Sequence, residues 1–302
     1  MSTIGAFEKD INLQVDFLQK IKLQKPLNLQ QQSKTIFCGT GDSFASAMLA
    51  ESFSNFRVRA LDPLDIIKNR KLVQNNLIYF VSVSGNTISN IRASKLTKDS
   101  VAITKNTASP LVKSCKQVMR LRYTDSKILT TGSIGFLAST LACMSQVVDC
   151  RIRGAKKLFN EAQNQARKIL LKNKAYVIGN QYTYPLAMYA AAKLYEVLGF
   201  DAHYERIEQF SHMSLFSAKK GDTVIIFEKS NRHNKQLVTH LRKLGLSVYN
   251  PSIGSSNRIS QVIFYIFISQ LVALHAAKRK QLKDCHFITE KKFRNASSAM
   301  IY

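Results

Sequence analysis

The segment Asn76–Ile88, NLIYFVSVSGNTI, constrains this chain more than any other. Leu77-Ile78-Tyr79-Phe80-Val81 is an apolar run, too short for a helix and rich in aromatic and β-branched residues. Such a run is a strand buried on both faces, the kind found in parallel sheets covered by helices. It breaks into Ser82-Val83-Ser84-Gly85-Asn86-Thr87, and a helical pattern follows with Ile88, Ile91 and Leu96 on one side. A strand ending in Ser, Gly and Thr at a helix N-terminus presents hydroxyls, free N–H groups and a positive dipole end together. That combination suits a phosphate monoester. An ordinary Ser/Thr-capped helix has the same local pattern, so the surroundings must decide.

A second unit of this kind lies upstream. Thr35-Ile36-Phe37-Cys38 is a short buried strand ending in Gly39-Thr40-Gly41-Asp42-Ser43, followed by a helix from Phe44 to Phe53. The glycines permit a tight turn and close backbone approach, and Ser43 sits where an N-cap belongs. No third glycine follows at the dinucleotide-binding offset and no acid ends the next strand, so that fingerprint is excluded. Further strands are expected near Val58–Leu61, Ser100–Thr104 and Val118–Tyr123, with helices opening at Pro63 and at Ser109-Pro110. A polar loop, Thr124–Ser133, leads into an apolar helix Ile134–Val148, and periodicity over Ile4–Ile21 predicts an opening helix packed across the first domain. After a basic linking helix, Arg151–Lys172, the pattern restarts. Strands Ala175–Gly179, Thr223–Phe227 and Ser247–Tyr249 alternate with helices Pro185–Leu198, Asn231–Leu244 and Ile259–Lys278. The expectation is an α/β chain of two tandem domains, residues 1–150 and 151–302. Each is a doubly wound, five-stranded parallel sheet flanked by helices.

Lys and Arg number 44 against 19 Asp and Glu, a net charge of +25 that attracts nucleic acid, anionic membranes and small anions alike. The basic residues are spread along the whole length, without zinc-finger spacing, a basic zipper or an aromatic RNA-binding signature. This speaks against a nucleic-acid partner and for a surface that steers phosphorylated metabolites. The apolar stretch Gln261–Ala277 is short for a bilayer span and is interrupted by Ser269, Gln270 and His275, so a buried helix is expected rather than a membrane contact. Cys38, Cys115, Cys143, Cys150 and Cys285 are odd in number and widely spaced, and Met1–Gln19 lacks the apolar core of a signal peptide. A cytoplasmic protein follows. The histidines form no H-E-x-x-H pair, and neither a metal nor another cofactor is implied.

These loops resemble the SIS (sugar isomerase) family of phosphosugar-binding domains. Gly39-Thr40-Gly41-Asp42-Ser43 is similar to its first loop, Ser82-Val83-Ser84-Gly85-Asn86-Thr87 to its Ser-x-Ser-Gly-x-Thr phosphate loop, and Ile103–Asn106 with Ser109-Pro110-Leu111 to its third turn. The second half resembles the isomerase part of glutamine–fructose-6-phosphate aminotransferases, with Tyr184-Pro185-Leu186-Ala187, Lys193-Leu194-Tyr195-Glu196, His212, Gly221-Asp222-Thr223-Val224, Gln270-Leu271 and Arg294-Asn295 in family order. The resemblance implies two tandem SIS domains, the first binding phosphate through Gly41, Ser43, Ser82, Ser84, Gly85 and Thr87. It adds Thr131, Ser133 and Ser298 to the substrate contacts. It makes Glu196 the base that moves a proton between neighbouring carbons, and His212, sixteen positions later, the group that assists ring opening. Taken alone, Glu196 is equally a solvated helix residue and His212 a polar loop residue; together at the family spacing they point to chemistry. In the aminotransferase this His serves the neighbouring subunit's site, which implies a homodimer with sites at the subunit interface.

Two departures from the pattern matter. The family's tail carries an imine-forming Lys where this chain has Ser298, and Thr130-Thr131-Gly132-Ser133 lacks the family's Thr-Lys. Non-covalent enolisation by Glu196 is unaffected by either. The expected function is aldose–ketose proton transfer on hexose or hexosamine 6-phosphates, favouring glucosamine 6-phosphate/fructose 6-phosphate interconversion without a glutaminase domain. Phosphoglucose/phosphomannose isomerisation is the alternative reaction, and a non-catalytic phosphosugar-binding regulator the alternative class.

Overall fold

The computed structural model describes residues 1–300, the side chains of residues 298–300 excepted. Two compact units emerge. One comprises Met1–Gln19, Asp125–Ser133 and Ile152–Lys291; the other comprises Lys20–Thr124, Ile134–Arg151 and the chain from Lys292 on. The expected division at residue 150 separates the two sheets, yet the units interleave across it, because the opening helix and the 125–133 loop both pack with the second sheet. The opening helix, α1 (Thr3–Lys20), was expected on the first domain. It has an apolar face, Ile4, Phe7, Ile11 and Leu18, but also buries Asp10 and Gln14, and these polar groups find their partners in the second-sheet unit. Periodicity announces a buried face and leaves its partner open.

The first-sheet unit runs α2 (Leu29–Gln32), β1 (Thr35–Cys38), α3 (Asp42–Phe53), β2 (Arg59–Leu61), α4 (Pro63–Lys68), β3 (Leu77–Val81), α5 (Ile88–Ser94), β4 (Asp99–Thr104), α6 (Pro110–Ser114), β5 (Gln117–Arg120) and α7 (Ile134–Ser145). All five strands are parallel, in the order β2-β1-β3-β4-β5. Both faces are covered, as the continuous apolar runs require. Ile36, Cys38, Ile78, Phe80 and Ala102 pack with Ile66, Ala93 and Leu111 from α4, α5 and α6. The alternate residues Phe37 and Tyr79 stack on the opposite face at 4.9 Å. The chain leaves β1 first to one side, for β2, and later to the other, for β3. The carboxyl ends of β1 and β3 therefore form the topological switch point, where open α/β sheets bind ligands.

The second-sheet unit adds α8 (Ala155–Ala166), β6 (Ala175–Gly179), α9 (Tyr184–Leu198), β7 (Ala202–Glu205), α10 (Ile207–His212), β8 (Thr223–Phe227), α11 (Arg232–Lys243), β9 (Ser247–Tyr249), α12 (Arg258–Arg279) and α13 (His286–Thr289); α14 (Lys291–Met300) follows. Its sheet has four parallel strands among the described residues, β7-β6-β8-β9, where five were expected. A fifth strand would need a β-branched run after β9, and the chain there supplies the apolar α12 and then a polar, charged tail. The edge strand β7, Ala202-His203-Tyr204-Glu205, carries too little apolar character to stand out in the sequence. Tyr176, Ile178, Val224, Ile226 and Val248 meet Phe210 and Leu241 in one core cluster. Among the described residues α12 is the one helix long and apolar enough to cross a membrane, and 89% of its apolar window is buried here as the unit's central helix.

Candidate active site

In the first-sheet unit, the loops after β1 and β3 build a hydroxyl cradle. Gly39 must lack a side chain, since a Cβ there would stand 2.9 Å from the Ser43 backbone. Gly41 caps α3 at φ +53°, a conformation that disfavours any side chain, and its Cα faces open space. In the β3 loop the buried Ser82 hydroxyl accepts the Gly85 N–H at 3.1 Å and bonds the Thr87 hydroxyl at 3.0 Å. Thr87 stands at the N-cap of α5 but makes no capping bond, so the helix receives no side-chain cap from it. The exposed Ser84 Oγ accepts the Asn86 N–H at 3.2 Å, which keeps the turn open toward solvent. Gly85 adopts φ +68°, and a Cβ on it would lie 2.1 Å from Ser109 Oγ. That hydroxyl is buried and has no hydrogen-bond partner among the described residues. The third turn is tied in through the Lys105 N–H, which donates to the Val83 carbonyl at 3.1 Å, and through Thr104 Oγ1, which donates to the same carbonyl. The structure thus gathers Gly41, Ser43, Ser82, Ser84, Gly85 and Thr87 at the ends of two adjacent strands. Hydroxyls and backbone N–H groups, rather than an Arg clamp, make an anion site of this kind.

The second-sheet unit holds a different cluster. Lys193 and Glu196 lie three residues apart on α9, which puts them on one helix face. Lys193 is fully buried; its Nζ lies 2.5 Å from Glu196 Oε2, 2.9 Å from Thr131 Oγ1 and 4.9 Å from the centre of the Tyr189 ring. The Thr131 hydroxyl donates to the same Glu196 oxygen. A buried ammonium is tolerated only where charge and hydrogen bonds compensate it, and here a carboxylate, a hydroxyl and an aromatic face do so. The Glu196 side chain remains 36% exposed, and both contacts use Oε2. Thr131 and Ser133 belong to the 125–133 loop, and the buried Ser133 hydroxyl has no hydrogen-bond partner among the described residues. In the sequence Lys193 stands out as a lone cation inside Ala190-Ala191-Ala192-Lys193-Leu194, three residues before the candidate base.

His212 ends α10, with its side chain 77% exposed and its Nε2 3.7 Å from Glu208. Within one chain it is therefore a surface group rather than a member of the Glu196 cluster. Ser298 falls outside the residues whose side chains are described. At the switch point of the second sheet, between β6 and β8, the cradle is filled from within. Glu228 Oε1 accepts the Asn180 N–H and the Thr183 hydroxyl, both at 3.0 Å, and burial raises its carboxyl pKa against the lowering effect of those bonds. The second sheet offers its own carboxylate where the first offers open hydroxyls. No group of three or more His, Cys, Asp or Glu side chains is placed to hold a metal ion among the described residues.

Fold and sites together define a doubly wound α/β protein that presents an anion cradle and a carboxylate–ammonium pair. Residues 168–246 match the family described as SIS domain. Solved structures give the same fold over nearly the whole length. A glucosamine-6-phosphate deaminase from Thermotoga maritima superposes with a TM-score of 0.72 at 18% identity, covering 93% of this chain and 95% of that one. The C-terminal domain of glucosamine-fructose-6-phosphate aminotransferase from Francisella tularensis reaches 0.67 at 15% identity, covering 93% and 97%. Tagatose-6-phosphate ketose/aldose isomerase from Escherichia coli reaches 0.67 at 14% identity, covering 93% and 91%. At these identities the likeness shows the shared fold alone. No curated protein sequence matches the chain significantly.

Proposed function

We propose that this protein is a phosphosugar isomerase or deaminase acting on hexose or hexosamine 6-phosphates, with glucosamine 6-phosphate/fructose 6-phosphate interconversion as the favoured reaction. The observation that carries this reading is the Glu196 carboxylate, held through one oxygen by Lys193 and Thr131 while the side chain remains partly exposed. In the proposed reaction Glu196 takes the proton from C2 of the open-chain aldose and returns it to C1, converting the C1 carbonyl to an alcohol and C2 to the ketone or its imine. Charge on the intermediate enediolate is offset by the Lys193 ammonium, a preorganised cation in a site closed to water on that side. With an amino group at C2, hydrolysis of the resulting imine releases ammonia. The phosphate is assigned to Ser43, Ser82, Ser84 and Thr87, with Gly41 and Gly85 giving close backbone approach. Thr131, Ser133 and Ser298 are assigned to the sugar.

The same reading includes a homodimer in which His212 serves the neighbouring subunit. Met213 and Phe216 beside it are 60% and 86% exposed, and burial of these side chains would favour association. We place the protein in the cytoplasm, where its five unpaired cysteines would stay reduced. Ser298 in place of the family Lys favours, as a second reading, a phosphosugar sensor without turnover.

Ammonia release from glucosamine 6-phosphate, compared with ketose formation from glucose and mannose 6-phosphates, separates the variants. Ketose formation from glucose or mannose 6-phosphate without ammonia from glucosamine 6-phosphate would replace the deaminase by the isomerase. Ligand-induced thermal stabilisation without turnover of any of the three would leave the sensor.

A further inference from the structure

The 125–133 loop, which carries Thr131, is pinned by the first helix of the chain. Asp10 is buried on α1, and its carboxylate accepts the Ser126 N–H at 2.5 Å and the Ser126 hydroxyl at 3.1 Å. The Thr130 hydroxyl donates to the Thr3 carbonyl at 2.9 Å, one residue before the threonine that bonds Glu196. Thr3 is itself moored at the far end of the unit. Its N–H donates to Asp284 Oδ1 at 2.9 Å, and its hydroxyl accepts the Cys285 N–H at 2.8 Å. A third line runs through the interior. Gln14 donates to Gln270 at 2.6 Å, Gln270 to the Tyr189 hydroxyl at 2.9 Å, and Tyr189 to the Gly132 carbonyl at 2.8 Å. All three of these side chains are fully buried on helices. Residues on both sides of Thr131 are thus tied, directly or through α12 and α9, to α1.

A loop held at one end could swing its threonine away; held on both sides it cannot. Apolar packing alone does not explain this arrangement. A buried carboxylate and two buried amides are costly inside a unit unless their bonds are all made, and a core filled by apolar residues is often as stable. What polar anchors supply is position, since hydrogen bonds are directional and packing is not.

We infer that α1 acts as a strap that sets the Thr131 hydroxyl on Glu196, which makes Asp10 and Thr130 positioning residues for the catalytic carboxylate. The inference rests on the function proposed above for Glu196, and it says where that carboxylate's orientation comes from. Without the strap, Glu196 keeps Lys193 but loses its second bond on Oε2, so the carboxylate rotates about its remaining contact and the proton transfer slows. Phosphate affinity, assigned to the serine loops of the other unit, is left alone, whereas the sugar contacts assigned to Thr131 and Ser133 move with the loop.

The test is a cycle of variants in the full-length protein. Asp10→Asn keeps the size of the side chain and one acceptor; Thr130→Val removes a single hydroxyl and serves where Asp10→Asn lowers folding yield. Each is expected to reduce kcat about 10-fold or more while the affinity for inorganic phosphate, titrated directly, moves less than about twofold. In a Thr131→Ala background neither should cost anything further, because the group they position is gone. A purely structural role predicts additive losses, and additive losses, or an unchanged kcat in both single variants, overturn the strap. Amide hydrogen exchange gives a readout independent of turnover: residues 126–132 should exchange faster in both variants while β6 and β8 stay protected. If the unaltered protein turns over no hexose phosphate, the proposed function falls. Exchange then decides the strap by itself, and unchanged protection of the loop rejects it.

Discussion

Lys193 and Glu196 touch each other, yet deleting them has unequal consequences, because one is fully buried and the other is 36% exposed. Glu196→Ala takes the carboxylate from a fully buried ammonium that keeps Thr131 and the Tyr189 ring beside it. It is expected to cost about 3 kcal/mol in urea unfolding, the lower end of the range for broken buried pairs, because hydrogen-bonding and aromatic partners remain. Lys193→Met leaves a carboxylate that reaches water, so stability should change little while kcat falls roughly 100-fold through loss of the cation at the enediolate. Glu196→Gln keeps an acceptor for Lys193 and Thr131 but removes both the base and the charge that compensates the buried ammonium. Melting lowered by less than in Glu196→Ala, with kcat lowered on the order of 1,000-fold, is the expected outcome, checked by calorimetry alongside single-turnover rates. An active Glu196→Gln enzyme would remove this residue from the mechanism. Ser84→Ala and Thr87→Val, by contrast, should raise KM with little change in kcat.

At the scale of elements, the two sheets repeat one device with different endings. A glycine just after β1 and one at the end of β6 each stand where an added Cβ would meet the backbone four residues on, Gly39 on Ser43 and Gly179 on Thr183. Either glycine gains a steric conflict with backbone if changed to Ala. The first turn then opens into hydroxyls, whereas the second receives the Glu228 carboxylate. Because burial raises the folded-state pKa of Glu228 above its unfolded value, the folded chain binds more protons than the unfolded chain from the ordinary glutamate range upward to that raised value. Stability from this group is therefore present at low pH and lost as pH rises through the window. Glu228→Gln, which cannot ionise, should melt progressively higher than the parent as pH is taken from about 4.5 to 7.5. A constant offset across that range would show that Glu228 titrates normally. Gly85→Ala should fail more severely than Gly39→Ala, since it faces both a left-handed φ and Ser109 Oγ at 2.1 Å.

For the whole molecule the governing quantity is charge. A net +25 surrounds a cradle that has no Arg clamp of its own, so attraction of the phosphate is a property of the surface more than of the site. KM for a hexose 6-phosphate should therefore climb several-fold between about 20 and 200 mM salt, while binding of the uncharged hexose stays flat. The exposed Phe216 carries the assembly prediction. Phe216→Asp should shift sedimentation from dimer toward monomer and reduce turnover together with it, and an unaltered monomer in the parent would remove the dimer from the proposal.

What the sequence determined by itself was whatever is written within a turn or two of chain. The glycines of the β1 and β3 loops, the helix starts at Pro63 and Asn231, and the alternation of buried strand and helix all follow from local sterics and hydrogen-bonding capacity, whereas α3 is capped by Gly41 and not by Ser43. Glu196 was singled out because a motif surrounds it. Tertiary structure alone decided which buried face meets which: that α1 bonds to α12, that Lys193 turns inward onto Thr131 some sixty residues earlier, and that the second sheet has four strands among the described residues. Burial of apolar surface is non-directional, so a periodic pattern states that a face will be covered and not by what. The polar residues set among those apolar faces, Asp10, Gln14, Lys193 and Gln270, make the choice, because a buried hydrogen-bonding group accepts only the one arrangement that satisfies it.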